Sequence, residues 1–196
     1  PILLARPAMY NGIRHFVFIL PPLAVLGGMA VAFIAARCNI AAKVIAALIF
    51  FAGIGLPAIA MARLHPYQYI HFNAVAGGIA AVQSRYMLDY WGLSFKQAGQ
   101  ELRFRIASPP PAGRKWKVAV CGPHPPAQIA LGEEFELTWD AKGADFALML
   151  GAFYCAKFDA PLMAEIARDG VILARAYDIR SREFPSLFTL PPVRRD

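Results

Sequence analysis

Acidic side chains are missing from the first 88 residues of this chain; the first one is Asp89. Charge of either sign is scarce throughout, at 17% of 196 residues, against about 25% in ordinary soluble domains. Cysteine is nearly absent, with three residues, which excludes a disulfide-dense miniprotein. There is no phosphate-binding loop, no dinucleotide fingerprint and no Gly-x-Ser-x-Gly elbow. His65 and His71 lie six apart, not at the four-residue spacing of a helical metal pair, and His124 stands between prolines far along the chain. No metal site is therefore expected. What is present is apolar: the hydrophobic fraction is 58% and the mean hydropathy +0.44. Disorder needs low hydrophobicity and high net charge, and is excluded.

The net charge of +7 invites a nucleic-acid reading, but its distribution opposes one. Residues 1–62 hold four bases (Arg6, Arg14, Arg37, Lys43) and no acid, whereas residues 63–196 hold 16 bases and 13 acids. The chain thus divides into an apolar, acid-free part and a mixed-charge part. It begins at Pro1 rather than Met, as expected of a fragment or a processed product.

Residues 15–36 and 44–62 run for 22 and 19 positions without a formal charge. A helix needs about 20 predominantly apolar residues to cross a bilayer core, so two transmembrane helices are expected. The first run is too long for a signal peptide, and a second follows at once. Pro21, Pro22 and Pro57 lie within these runs, and Gly27-Gly28, Gly53 and Gly55 permit close helix contact. Such features suit part of a larger bundle. The connector 37–43 carries Arg37 and Lys43, which places it in the cytoplasm by the positive-inside rule. Arg14-His15 and the segment from Arg63 onward would then share the opposite face.

Beyond the second run the sequence reads HPYQYIHFN (65–73), then Gly77-Gly78, then DYWGLS (89–94). Tyr67, Tyr69, Phe72, Tyr86, Tyr90, Trp91 and Phe95 crowd this stretch. One reading is an aromatic belt on an interfacial helix over residues 72–88. The other is a polar site at the membrane surface made from Arg14, His65, Tyr67 and Asn73. Together with YNGIRHFVF (10–18) and Pro21-Pro22, these strings resemble the C-terminal part of bacterial membrane glycosyltransferases. Those are similar to the dolichyl-phosphate-mannose protein mannosyltransferase family of the C-type glycosyltransferase superfamily. The resemblance covers residues 8–98. It implies many membrane helices, a polyprenyl-phosphate-linked sugar donor and an active site at the outer face of a bacterial inner membrane. It allows a divalent metal in the complete enzyme. It places the catalytic carboxylates in a loop that this sequence does not contain, so none is assigned here and the chain alone is not expected to transfer sugar.

Arg14, His15, His65, Tyr67 and Asn73 are the candidate contacts to the donor's lipid phosphate. Arginine offers phosphate a planar fork of donors, and His and Tyr add hydrogen bonds. The competing reading is that Arg14 only snorkels and His65-Pro66 only starts a turn.

Residues 99–196 read as a small soluble α/β domain, expected in the periplasm, after a membrane part (1–71) and a linker (72–98). Ser94 and Gln97 have capping-box spacing ahead of a helix from Phe95 to Ala107. Strands are expected at 115–121, 135–139, 145–153, 163–168 and 171–177, with Asp169-Gly170 turning a hairpin. The connector 122–134 is long enough for a crossover between parallel strands. Cys121 and Cys155 are candidates for a disulfide in an oxidising compartment, with two independent thiols as the alternative. Arg103, Arg105, Arg114, Lys115 and Lys117 form a solvated basic face or a contact to anionic headgroups. Two functions remain open. The first is the C-terminal portion of a lipid-linked-sugar glycosyltransferase, packed with the rest of its helix bundle or a partner membrane protein. The second is a non-enzymatic two-span anchor whose soluble domain binds a partner.

Overall fold

A computed structural model describes residues 17–106, 108–180, 182, 184 and 186–189. They divide into two compact units at the Leu56–Pro57 boundary.

In the first unit, helix α1 spans Leu20–Arg37, preceded by a 3-10 turn at 17–19. Pro21 and Pro22 fall in its first turn, where an N–H has no intrahelical partner to lose. They start the helix instead of interrupting it. Helix α2 spans Ile40–Arg63, and its last seven residues belong to the second unit. It begins four residues before the expected span (residue 44) because Asn39 caps it, Oδ1 accepting from the Ala42 amide at 2.9 Å. The connector shrinks to Cys38-Asn39, and Lys43 joins the helix. Neither helix has a buried residue. Both are long and apolar enough to cross a membrane; the 24 residues of α2 extend about 36 Å at 1.5 Å each.

The second unit centres on a five-stranded mixed sheet. Its strands are β1 (Trp116–Cys121), β2 (Phe135–Thr138), β3 (Phe146–Leu150), β4 (Leu162–Arg168) and β5 (Val171–Asp178), in the order β2-β1-β3-β5-β4. β2 and β3 flank β1 in parallel, and β5 then β4 continue antiparallel. Three further helices complete the unit: α3 (Gly78–Val82), α4 (Ser94–Arg105) and α5 (His124–Leu131). The expected crossover between β1 and β2 is α5. β3 is buried at every position, which explains its continuous apolar run. Asp169 and Gly170 both adopt positive φ, 44° and 76°, the backbone of a tight primed turn between β4 and β5.

Helix α4 buries Phe95, Ala98, Gly99 and Leu102, the i, i+3, i+4, i+7 stripe of a helix lying on a core. Gly99 is required by contact: a Cβ there would stand 2.9 Å from the Ala130 Cβ of α5. Ser94 is already inside α4, and its side chain caps nothing. The capping box expected from Ser94 and Gln97 does not form, because Asp89 takes that role from five residues upstream.

The interfacial helix expected over residues 72–88 is replaced by 3-10 turns at Gln68–Ile70 and Ala74–Ala76 followed by the short α3. Gly77 and Gly78 adopt φ of 85° and 69°, left-handed values that break a right-handed helix. Packing also continues across the boundary expected at residues 98–99. Leu64, Tyr67, Ile70, Ile79 and Phe95 belong to the same buried cluster as the sheet residues Val118, Leu148 and Ala176.

Candidate functional site

The segment joining α2 to the sheet domain is fastened by its own polar side chains. At its centre is Asp89, only 6% exposed. Its Oδ1 accepts from the Leu93 amide at 2.9 Å and from the Tyr69 hydroxyl. Its Oδ2 accepts from the Ser94 amide at 2.9 Å and from the Ser94 hydroxyl. One carboxylate therefore satisfies the start of α4 and holds residue 69 against it. Burial raises the Asp89 pKa above the ordinary carboxylate value, while the Ser94 and Leu93 donors pull against that shift without cancelling it.

Tyr67 forms a second fastening. It is 1% exposed, and its hydroxyl donates to Gln97 Oε1 at 3.0 Å. The Arg168 guanidinium lies 4.9 Å over its ring, within cation–π range. Arg168 Nε also donates to the His65 carbonyl at 3.1 Å. The last strand residue of β4 thus grips the chain just beyond the end of α2. Burial pushes the Tyr67 phenol upward, keeping it protonated as the hydrogen-bond donor.

These contacts decide which expected phosphate contacts are available. Arg14 and His15 lie outside the described residues. Tyr67 is enclosed in the core, its hydroxyl engaged by Gln97. Asn73 is exposed, but its Oδ1 accepts from the Ala76 amide at 3.0 Å and caps a 3-10 turn. His65 alone of the three presents its ring to water, with Nδ1 2.9 Å from Gln68 Nε2. The motif therefore resolves into one solvent-facing imidazole on a framework made by its other polar groups. Sequence reading missed Asp89, Gln97 and Arg168 as the framework's other halves. The available signal was that the chain's first acid lies three residues before a Gly-x-Ser helix start.

A second place to seek chemistry is the carboxyl edge of the parallel strands. β1 leads through α5 to β2 on one side, while β3 lies on the other, so the edge between β1 and β3 is a topological switch point, the customary ligand crevice of such sheets. Here it is filled. A Cβ on Gly122, just past β1, would meet the Phe95 ring at 2.7 Å and Leu150 at 3.0 Å; one on Gly92 would meet Pro123 at 3.0 Å. Cys121 and Cys155 close it further as a disulfide. Gly92 of the DYWGLS loop and the Phe95 ring that follows it thus pack against this edge.

Beside this edge His124 stacks on Trp139, centroids 3.7 Å apart. Its Nε2 is buried without a hydrogen-bond partner, and burial lowers its pKa. In the basic stretch, Arg114 makes a paired contact to Asp145 at 2.6 and 2.8 Å, and Arg103 meets Glu134 at 2.8 Å. Burial alone would raise the Asp145 pKa, but Arg114 and the Lys117 amide hold it below the usual carboxylate value. No group of three or more metal-ligating side chains is present among the described residues. Comparison with known proteins returns no match: no family model, no curated protein and no solved structure resembles this chain closely enough to assign it.

Proposed function

We propose that this chain is the membrane-proximal C-terminal portion of an integral-membrane glycosyltransferase that uses a polyprenyl-phosphate-linked sugar at the extracytoplasmic face. Transfer forms a bond from an acceptor hydroxyl or amine to the anomeric carbon. The bond from that carbon to the lipid phosphate breaks, and the phosphate leaves with the electron pair. Stabilising that leaving anion is electrostatic work. Arg14 and His65 are the groups assigned to it, with His15 a further contact. Tyr67 and Asn73 act by fixing the backbone that follows His65. The proton acceptor and catalytic carboxylates belong to parts of the enzyme outside this sequence. The part played by these residues is to hold the donor phosphate and to fasten the segment after Arg63 to the α/β domain.

The observation that carries this reading is the fastened HPYQY…DYWGLS unit. It sets one exposed imidazole, His65, two residues past the end of a helix with no buried side chain. A helix that is apolar all round and uncovered requires an apolar medium. The Cys121–Cys155 disulfide favours an oxidising compartment for the domain, and Cys38 is a free thiol at the other end of α2.

Two measurements test the reading. In intact cells, a membrane-impermeant maleimide should label Lys142→Cys and spare Cys38; the reverse pattern overturns the orientation. In membranes carrying the complete protein, Arg14→Ala or His65→Ala should each lower sugar transfer from a polyprenyl-phosphate donor by about 10²-fold, the scale of losing one anion-stabilising donor. Unchanged turnover rejects the phosphate role.

The filled β1–β3 edge favours a second reading, a partner-binding anchor without chemistry. That reading requires sugar transfer to be absent from membranes of the complete protein.

A further inference from the structure

The turn after α2 displays a large apolar side chain to the outside on a rigid support. Asn73 caps it through Ala76, and Gly77 closes it with φ 85°. At its tip Val75 is 98% exposed. Phe72, three residues earlier, packs its ring 5.4 Å from that of Tyr86, which joins the turn to the loop after α3. That loop exposes Tyr86, Met87 and Trp91 at 55%, 43% and 60%. Exposed apolar and aromatic side chains thus gather in one stretch of chain, residues 75–91, and uncovered apolar surface marks an interaction site. The carboxylate that anchors the loop, Asp89, is buried and accepts four hydrogen bonds.

We infer that this face, with Val75 at its tip and Tyr86, Met87 and Trp91 behind it, enters the headgroup layer of an anionic leaflet beside the end of α2. The inference rests on the reading that α1 and α2 span a bilayer. Charge identifies the occupant. From residue 57 to residue 100 the only acid is the buried Asp89, while Arg63, Arg85 and Lys96 are all exposed. The water-facing charge of this segment is therefore entirely positive. Exposed acids of the domain include Glu133, Glu134, Glu136 and Asp140 on and around β2, Asp159 before β4, and Glu165 and Asp169 on β4 and its hairpin turn; none belongs to the segment that carries the face. Tyrosine and tryptophan favour the membrane interface, because ring and polar tip face different media. Basic side chains beside it are attracted to anionic lipid. Continuity adds to this: Arg63 ends the apolar helix, and Arg168 fixes the next residues to the domain. The docking face is thus tied to the point where the chain would leave the bilayer.

The test uses the full chain with Cys38→Ser, reconstituted in nanodiscs of phosphatidylglycerol and phosphatidylcholine or of phosphatidylcholine alone. Single spin labels are placed at Val75→Cys, at Phe51→Cys within α2, and at Lys142→Cys on an exposed turn. Collision with oxygen and with a water-soluble nickel chelate is then measured for each. In anionic discs the Val75 label should be rich in oxygen contacts and severalfold poorer in nickel contacts than the Lys142 label. It should move toward water in neutral discs or with Arg85→Glu. Trp91 emission, read as the difference between the Trp139→Phe chain and the same chain with Trp91→Phe, should shift to the blue in anionic discs only. A Val75 label as nickel-accessible as Lys142, while Phe51 stays in lipid, overturns the docking face and leaves the membrane reading standing. A Val75 label shielded from both probes, as protein cover would produce, also overturns it. A nickel-accessible Phe51 label overturns the membrane reading and the docking face together.

Discussion

The two helices and the sheet domain both carry large apolar side chains, yet they place them oppositely. Phe51 on α2 is 69% exposed, whereas Phe95 on α4 is fully buried. In the domain, apolar residues recur with a period that gives each element a covered face: four residues of α4, and both faces of β3. In α1 and α2 no residue is buried. Hydrophobicity by itself thus does not specify a core. Its periodicity decides whether the chain covers its own apolar surface or leaves it for another medium.

The widest separation between the regions should appear on truncating a ring in each. Phe95→Ala removes a side chain wedged among α4, Gly122 and Leu150, and should cost the domain about 3–5 kcal/mol. Phe51→Ala should leave the same unfolding transition unmoved. Urea titration in detergent, followed by the fluorescence of buried Trp116, measures both. Equal effects would show that the helices contribute to domain stability.

A smaller effect sharpens the comparison at the junction. Four donors converge on the Asp89 carboxylate, but an amide offers only one accepting oxygen. Asp89→Asn should therefore destabilise the domain by about 1–3 kcal/mol, measured by the same titration. The sign of its pH dependence is fixed by burial. The native pKa is raised, so the favourable contribution from its protonated form is present below the unfolded value near 3.9. It is lost as pH rises through the native value. Asn at this position should abolish that component; a slope unchanged in Asp89→Asn would assign it to another group.

The smallest expected effect is confined to the sheet side. His124 has a lowered native pKa because of burial. Its contribution is intact above the unfolded value of about 6.5 and is lost as pH falls through the native value. The thermal midpoint should drop between neutral and mildly acidic pH, and His124→Phe should flatten that drop. A slope identical in the variant would exclude His124 as its source.

Much of the fold was legible because it depends on local pattern. The uncharged runs mark α1 and α2, Asp169-Gly170 marks the hairpin, and the 122–134 connector marks a crossover. The errors arose where a distant residue overrode a local signal. Ser94 has the spacing of a cap, yet Asp89 performs the capping; residues 72–88 look helical, yet two left-handed glycines break them. At the candidate site, HPYQY was conspicuous as a string. Which of its side chains faces water depended on Gln97, 30 positions from Tyr67, and on Arg168, 103 positions from His65.

Sequence alone determined that this protein has two helices without a polar face and a domain with one, because hydrophobic period and run length are properties of neighbouring residues. Only the tertiary structure decided that Tyr67, Asn73 and Asp89 act as internal fastenings, that His65 keeps its ring in water, and that the carboxyl edge of the sheet is filled. Those outcomes depend on which donors and acceptors meet across long stretches of chain, and such meetings are created by folding.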